Sequence, residues 1–214
     1  MMETIVANQS IPQIYLFLSK CFSYPEREFY EVVGGVEAVE ELCALIEGLP
    51  FEVDFRGIPF PSSQDEIADI ESEYINTFDL GGGKTLYESA YTGHRDDMCS
   101  RDIYEDLLRF YEHFDIKLSD KEKDYPDNLV VELEFMAFLA KKEADALEFG
   151  KDANPYRLAQ RDFLERHLNK WVDKLNERIQ KRGKEPFYMG ASAFMVEFLR
   201  NHQLHLREAV NPSP

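Results

Sequence analysis

Apolar side chains recur at three- and four-residue intervals along almost every long segment of this chain, and almost nowhere at intervals of two. A period near 3.6 buries one stripe of a helix, whereas a half-buried strand needs period two. The expected fold is therefore all-α, one single-domain helical bundle over residues 1–214. In "IPQIYLFLSKCFSY" the stripe is Ile14, Leu18, Cys21 and Phe22, and Tyr24-Pro25 supplies the turn that ends it. A short helix is expected before Gly34-Gly35, and another from about Val36 to Glu47. Ser63-Gln64-Asp65-Glu66 fits a capping box, in which a hydroxyl and a glutamate three residues later exchange bonds with free N–H groups at a helix start. Ile67, Ile70, Tyr74 and Phe78 form the face that follows, down to the glycines at 81–83. Ile103, Leu107, Phe110 and Phe114 form another.

After Pro126, either Asp127 or Asn128 caps a helix striped by Leu129, Leu133, Met136 and Ala140. Asn154-Pro155 reads as a cap and a first-turn proline opening one long helix, with Leu164, Leu168, Trp171, Leu175 and Ile179 in the core. A last helix after Pro186 carries Phe194 and Phe198 inward, with Leu199 beside them. Residues 48–63, "GLPFEVDFRGIPFPSS", hold three of the ten prolines and no clear period. This is a long loop, of a length associated with a role, with mobility or with exchange of segments between subunits.

The charge narrows the partners. Forty-one acidic against twenty-four basic residues give a net charge of -17. Such a surface repels nucleic-acid phosphates and anionic lipid, and favours basic partners. The most apolar stretch, "LEFMAFLA", falls well short of the roughly 20 residues that cross a bilayer, so no membrane insertion is expected. "MMETIVANQS" lacks the layout of a secretory signal, which makes the cytoplasm the expected location. Cys21, Cys43 and Cys99 are too few and too far apart for a disulfide framework, and read as buried thiols.

Signals for chemistry are weak. "GGGKT" ends like a phosphate-binding loop, but that loop needs a glycine at position 78, where Phe78 stands, and a strand leading in, where a helix is expected. None of the five histidines has a glutamate three positions earlier, which removes the di-metal helical-bundle pattern. His202 and His205 share a helix face, yet lack an identifiable third ligand and read as solvated. A hydrolase would need Ser89 or Cys99 close to His94, and no nucleophile elbow is present. Glu132 and Glu134 point to opposite sides of one helix and cannot face each other. No catalytic activity and no cofactor are expected.

Three strings in register point further: "ESEYINTF" before the glycine turn, "LYESAY", and "YPDNLVVELEFMAFLAKKE". In order and spacing they resemble the signature of the TorD/DmsD/NarJ family of chaperones for molybdenum-cofactor oxidoreductases. The likeness is greatest to the branch that serves type II enzymes of the dimethyl sulfoxide reductase family. One position departs: the family's usual histidine in Pro-Asp-His-Leu is Asn128 here, which keeps hydrogen bonding and capping but loses a titrating imidazole.

The resemblance implies a cytoplasmic helical chaperone, a monomer or homodimer, that binds the catalytic subunit of a molybdopterin oxidoreductase before export. The bound element would be the twin-arginine leader or its remnant. By motif position the client-binding residues would be Tyr87, Glu88, Ser89 and Tyr91, in a recognition loop at about 79–96, together with Pro126, Asp127, Asn128 and Glu132. In that loop the tyrosines offer amphipathic contact area and Glu88 meets a client arginine. The plainer alternatives are that Tyr87 and Tyr91 are core residues with bonded hydroxyls, that Asp127 only caps a helix and Pro126 only starts it, and that Glu132 is a surface charge. The competing function is an acidic helical adaptor or regulator for some other basic partner.

Overall fold

The computed structural model describes residues 2–80, 85–92, 100–118 and 125–210. The glycine turn at 81–83, Lys84, His94 and Cys99 lie outside the described residues. Ten α-helices and no strand occur among the described residues: α1 (Met2–Phe22), α2 (Arg27–Val33), α3 (Val36–Glu47), α4 (Gln64–Tyr74), α5 (Ser89–Thr92), α6 (Ser100–His113), α7 (Leu129–Glu148), α8 (Asn154–Arg166), α9 (Leu168–Arg182) and α10 (Pro186–Val210). The all-α bundle is as the periodicity predicts.

Helix α7 is the axis of the bundle. It packs along α1 on one side and α8 on another, while α10 lies across α8 and α9. Leu129, Leu133, Phe135, Met136, Leu139 and Ala140 are all buried, so α7 turns one broad apolar face to the core. One continuous hydrophobic cluster joins these residues to Ile14 and Leu18 of α1, Trp171 and Leu175 of α9, and Phe194 and Phe198 of α10.

Local signals fix most boundaries. The α4 start is capped as expected, with Ser63 Oγ accepting from Glu66 N at 3.3 Å. The return bond differs from the expected box: Glu66 Oε2 accepts from the backbone N–H of Ser62, at 2.6 Å, instead of that of Ser63. Beyond Tyr74 the helix widens into a π-helical turn over Ile75–Asp79, which places Phe78 in the core. The run before "GGGKT" is thus helix and not strand. Residues 49–62 carry no helix, and Ile58 is buried while Phe51, Val53, Phe55 and Phe60 pack against the core.

Two expectations need correction. The long helix after Asn154 is two helices, because His167 leaves the helical region at φ -122°, ψ -96°. Its cap also differs: Asn154 is the first helical residue, Ala153 occupies the cap position, and the Asn154 N–H is taken by Asp152 Oδ1 at 3.0 Å. His202 is not solvated either. It is 1% exposed, its Nδ1 lies 2.8 Å from the Tyr15 hydroxyl, and Phe51 stacks on its ring at 5.6 Å.

Burial, with a smaller contribution from His205, lowers the His202 pKa to about 3. A group whose folded pKa is depressed supports the fold above its unfolded pKa, near 6.5, and loses that support as pH falls toward the folded value. Urea unfolding should therefore show stability falling by up to about 1.4 kcal/mol per pH unit below pH 6.5 from this residue. His202→Gln, which cannot titrate, should flatten that part of the profile; an unchanged slope would remove His202 as its source.

Candidate functional site

Two distant stretches of sequence, residues 85–92 and 125–132, meet at one place. Tyr87 and Asn128 form an isolated antiparallel bridge. On either side, Glu88 N donates to Asp127 O at 3.0 Å and Leu129 N donates to Leu86 O at 2.8 Å. The two candidate caps of α7 divide the work. Asn128 Oδ1 caps the helix by accepting from Val130 N at 2.8 Å, while Asp127 Oδ2 accepts from Ser89 N at 3.0 Å and so anchors the start of α5. Pro126 presents its carbonyl to the Tyr111 hydroxyl at 2.8 Å. Thr85, fully buried, ties the first stretch back to the π-helical turn through Thr77 O.

Beneath this junction lies a cluster of buried carboxylates. Glu88 is 3% exposed and its Oε2 lies 2.9 Å from Nδ1 of His167, the residue that breaks α8 from α9. On the other face of the imidazole, Nε2 lies 3.3 Å from Asp106 Oδ2, close enough for charge attraction but not aligned as a hydrogen bond. Arg166 holds Asp106 from outside and lies over the Phe110 ring. Glu132, with no exposed surface, accepts from Trp171 Nε1 at 3.3 Å. Its second oxygen, like Asp127 Oδ1, is buried without a hydrogen-bond partner. Burial, then the charge of Glu88, pushes the Glu132 carboxyl well above the usual range; the Trp171 bond opposes this and Asp127 adds to it. Among the described residues no group of three His, Cys, Asp or Glu side chains is placed to hold a metal.

All eight residues singled out by motif therefore belong to one region, at different depths. Glu88, Ser89, Pro126, Asp127 and Glu132 are buried, so Glu132 is not a surface charge; Tyr87, Tyr91 and Asn128 are half-buried. Tyr91 turns inward, stacking on Trp171 at 5.4 Å and donating its hydroxyl to Thr85 O at 2.9 Å. Tyr87 turns outward, meeting the half-exposed Tyr125 edge to face at 5.8 Å. Tyr104 of α6 lies 6.0 Å beyond Tyr125.

Sequence reasoning missed His167, Asp106, Tyr111 and the tyrosines at 104 and 125. A signal for His167 existed: it falls four residues after Phe163 and four before Trp171, on the apolar stripe of the expected helix, where a solvated imidazole has no place.

The chain matches the protein family described as nitrate reductase delta subunit over residues 35–177. It is 34% identical over 209 residues to the selenate reductase assembly chaperone protein of Thauera selenatis, covering 97% of this chain and 95% of that one. To the chlorate reductase assembly chaperone protein of Ideonella dechloratans the identity is 33% over 207 residues, covering 96% and 94%. The chaperone protein TorD of Vibrio parahaemolyticus is 20% identical over 216 residues, covering 96% and 99%.

The burial of these carboxylates generates two expectations. Glu88→Lys would set an ammonium against His167 in place of a buried partner, and should lower unfolding free energy by about 3–5 kcal/mol in denaturant titrations. Loss below 1 kcal/mol would mean that the Glu88–His167 contact is not part of the fold in solution. Glu132 is protonated more readily folded than unfolded, so its support is complete below the unfolded pKa near 4.5 and is lost as pH rises through the folded value. Glu132→Gln, which cannot ionise, should therefore gain stability over the parent steadily as pH rises above about 4.5. A constant difference across pH would contradict the raised pKa.

Proposed function

The chain belongs to the nitrate reductase delta subunit family, and on that footing we propose that it is an assembly chaperone of the TorD-like kind. Its client is the catalytic subunit of a molybdenum-cofactor oxidoreductase, held in the cytoplasm until the cofactor is inserted and export is permitted. The contact is made to the N-terminal twin-arginine leader or its remnant.

The observation that carries this reading is the convergence of the two motif stretches, 86–91 and 126–132, through the Tyr87–Asn128 bridge. Nothing in helix packing alone requires them to meet. The relatives are named as assembly chaperones for particular reductases, which favours this reading over an adaptor for an arbitrary basic partner and over catalysis. Within the site the eight motif residues act at two levels. Tyr87, Tyr91 and Asn128 shape the accessible surface. Glu88, Ser89, Pro126, Asp127 and Glu132 hold that surface in place from beneath. A net charge of -17 steers a basic leader toward the protein and keeps nucleic acid away.

Co-expression with the molybdoenzyme catalytic subunit encoded nearest its gene tests the proposal. The cofactor-free subunit should be retained at equal stoichiometry, and deletion of its leader should weaken retention, as should raised salt. Capture of the cofactor-loaded subunit to the same extent, or no capture of either form, would overturn it.

A further inference from the structure

The stretch at 49–62 stands out in the sequence and plays no part at the motif junction. It contains no helix, yet it is pinned along its length. Phe51 stacks on His202 and lies 6.0 Å from Phe198, Phe55 meets Phe194 edge to face at 5.0 Å, and Phe60 sits 6.1 Å from Phe187. Ile58 is buried between these anchors. Helix α10 makes room for the strap at Gly190, where a Cβ would come within 2.8 Å of the Pro59 ring. A chain fastened in this way is already ordered before a partner arrives, so little entropy is lost on binding.

Its outer side is unfinished. Phe51, Val53 and Phe55 are half-buried while Glu52, Asp54 and Arg56 are exposed, the alternation of an extended chain with one face on the core. From Phe51 to Gly57 the only backbone hydrogen bond among the described residues runs from Phe55 N to Val53 O, at 2.9 Å. The remaining amides and carbonyls of that stretch can pair with another chain, as the edge of a sheet does. Beside them is an open depression of about 600 Å³, floored by Ile46, Leu49, Phe51 and Val53. Every charged side chain that lines it is acidic: Glu47, Glu52 and Asp54. Asp54 pairs with Arg56 at 2.8 Å, whereas Glu47 and Glu52 are exposed with no ion-pair partner among the described residues.

We propose that residues 51–54 are a docking edge for an extended segment of a partner protein in which apolar and basic side chains alternate. The segment's backbone bonds to the unpaired groups of the strap, its apolar side chains enter the depression, and its lysines or arginines meet Glu47 and Glu52. The same carboxylates repel an acidic segment, and a purely apolar one would desolvate them without supplying a partner. This edge is built on the end of α3 and on α10, whereas the motif junction is built on the starts of α5 and α7. Its assignment does not rest on the client reading above.

The probe is acetyl-Val-Lys-Val-Lys-Val-amide, titrated against the full chain carrying carbon-13 in its isoleucine, leucine and valine methyl groups. It should shift the signals of Ile46, Leu49 and Val53 saturably. The counterpart with glutamate in place of lysine, and a form methylated on alternate backbone nitrogens, should each bind at least about tenfold more weakly. Glu47→Lys with Glu52→Lys should weaken the lysine peptide to the same degree without lowering the melting temperature, because neither side chain holds another part of the fold. Equal shifts from the lysine and glutamate peptides, shifts scattered over other acidic faces, shifts that survive the double reversal, or no saturable shift would overturn the proposal. Movement of the same three signals on concentrating the protein alone, with a dimer in sedimentation, would assign the edge to a second copy and overturn it as well.

Discussion

The contact between Glu88 and His167 joins parts of the molecule that no local preference would bring together. A carboxylate on the motif loop reaches an imidazole 79 positions later in the chain. That imidazole sits where a continuous helix would otherwise run, and its other nitrogen faces Asp106 of α6. The loop, the α6 helix and the junction of α8 with α9 therefore share one buried group. Polar partners removed from water are costly unless geometry and further bonds compensate, so a natural sequence that keeps them is spending stability on position. What is positioned is the loop that pairs with the start of α7, and with it the surface presented by Tyr87.

The helices were largely readable from sequence because helix formation is a local matter. The bounds Val36–Glu47, the cap at Ser63, the stripe through Leu129 and Met136 and the start after Pro186 all follow from neighbours within four residues. The break at His167 was not readable in the same way, since its cause is tertiary. Neither was the choice between Asp127 and Asn128 as the α7 cap, because the decision depends on Ser89, 38 residues upstream of Asp127.

Glu132 and His202, whose depth was misjudged, and His167, which was overlooked, have something in common. Glu132 lies three residues after Leu129 and four before Met136; His167 lies between Phe163 and Trp171; His202 lies between Phe198 and Leu206. Each occupies an apolar stripe, and each is buried with a partner: Trp171, Glu88 and Tyr15 respectively. Position on the stripe was a better guide to burial than residue type. Composition suggested solvated charges, yet a buried polar group with a dedicated partner is how a helical core acquires a unique register. The motif residues of the site were legible as strings, but their division into an accessible layer and a supporting layer required the fold.

The π-helical turn at Ile75–Asp79 has one further consequence. Such a turn holds one more residue than the α-helical turn it replaces, and this one stands at the end of α4, just before the segment that leads to the motif loop. Its extra residue acts as a phase setting. Removing one residue there would let the helix close into regular α geometry and rotate everything downstream by about 100° about the helix axis. Phe78 would leave the core and Thr77 would turn its carbonyl away from Thr85. Length at this point is therefore constrained more tightly than identity, and the segment should accept many substitutions but no deletion.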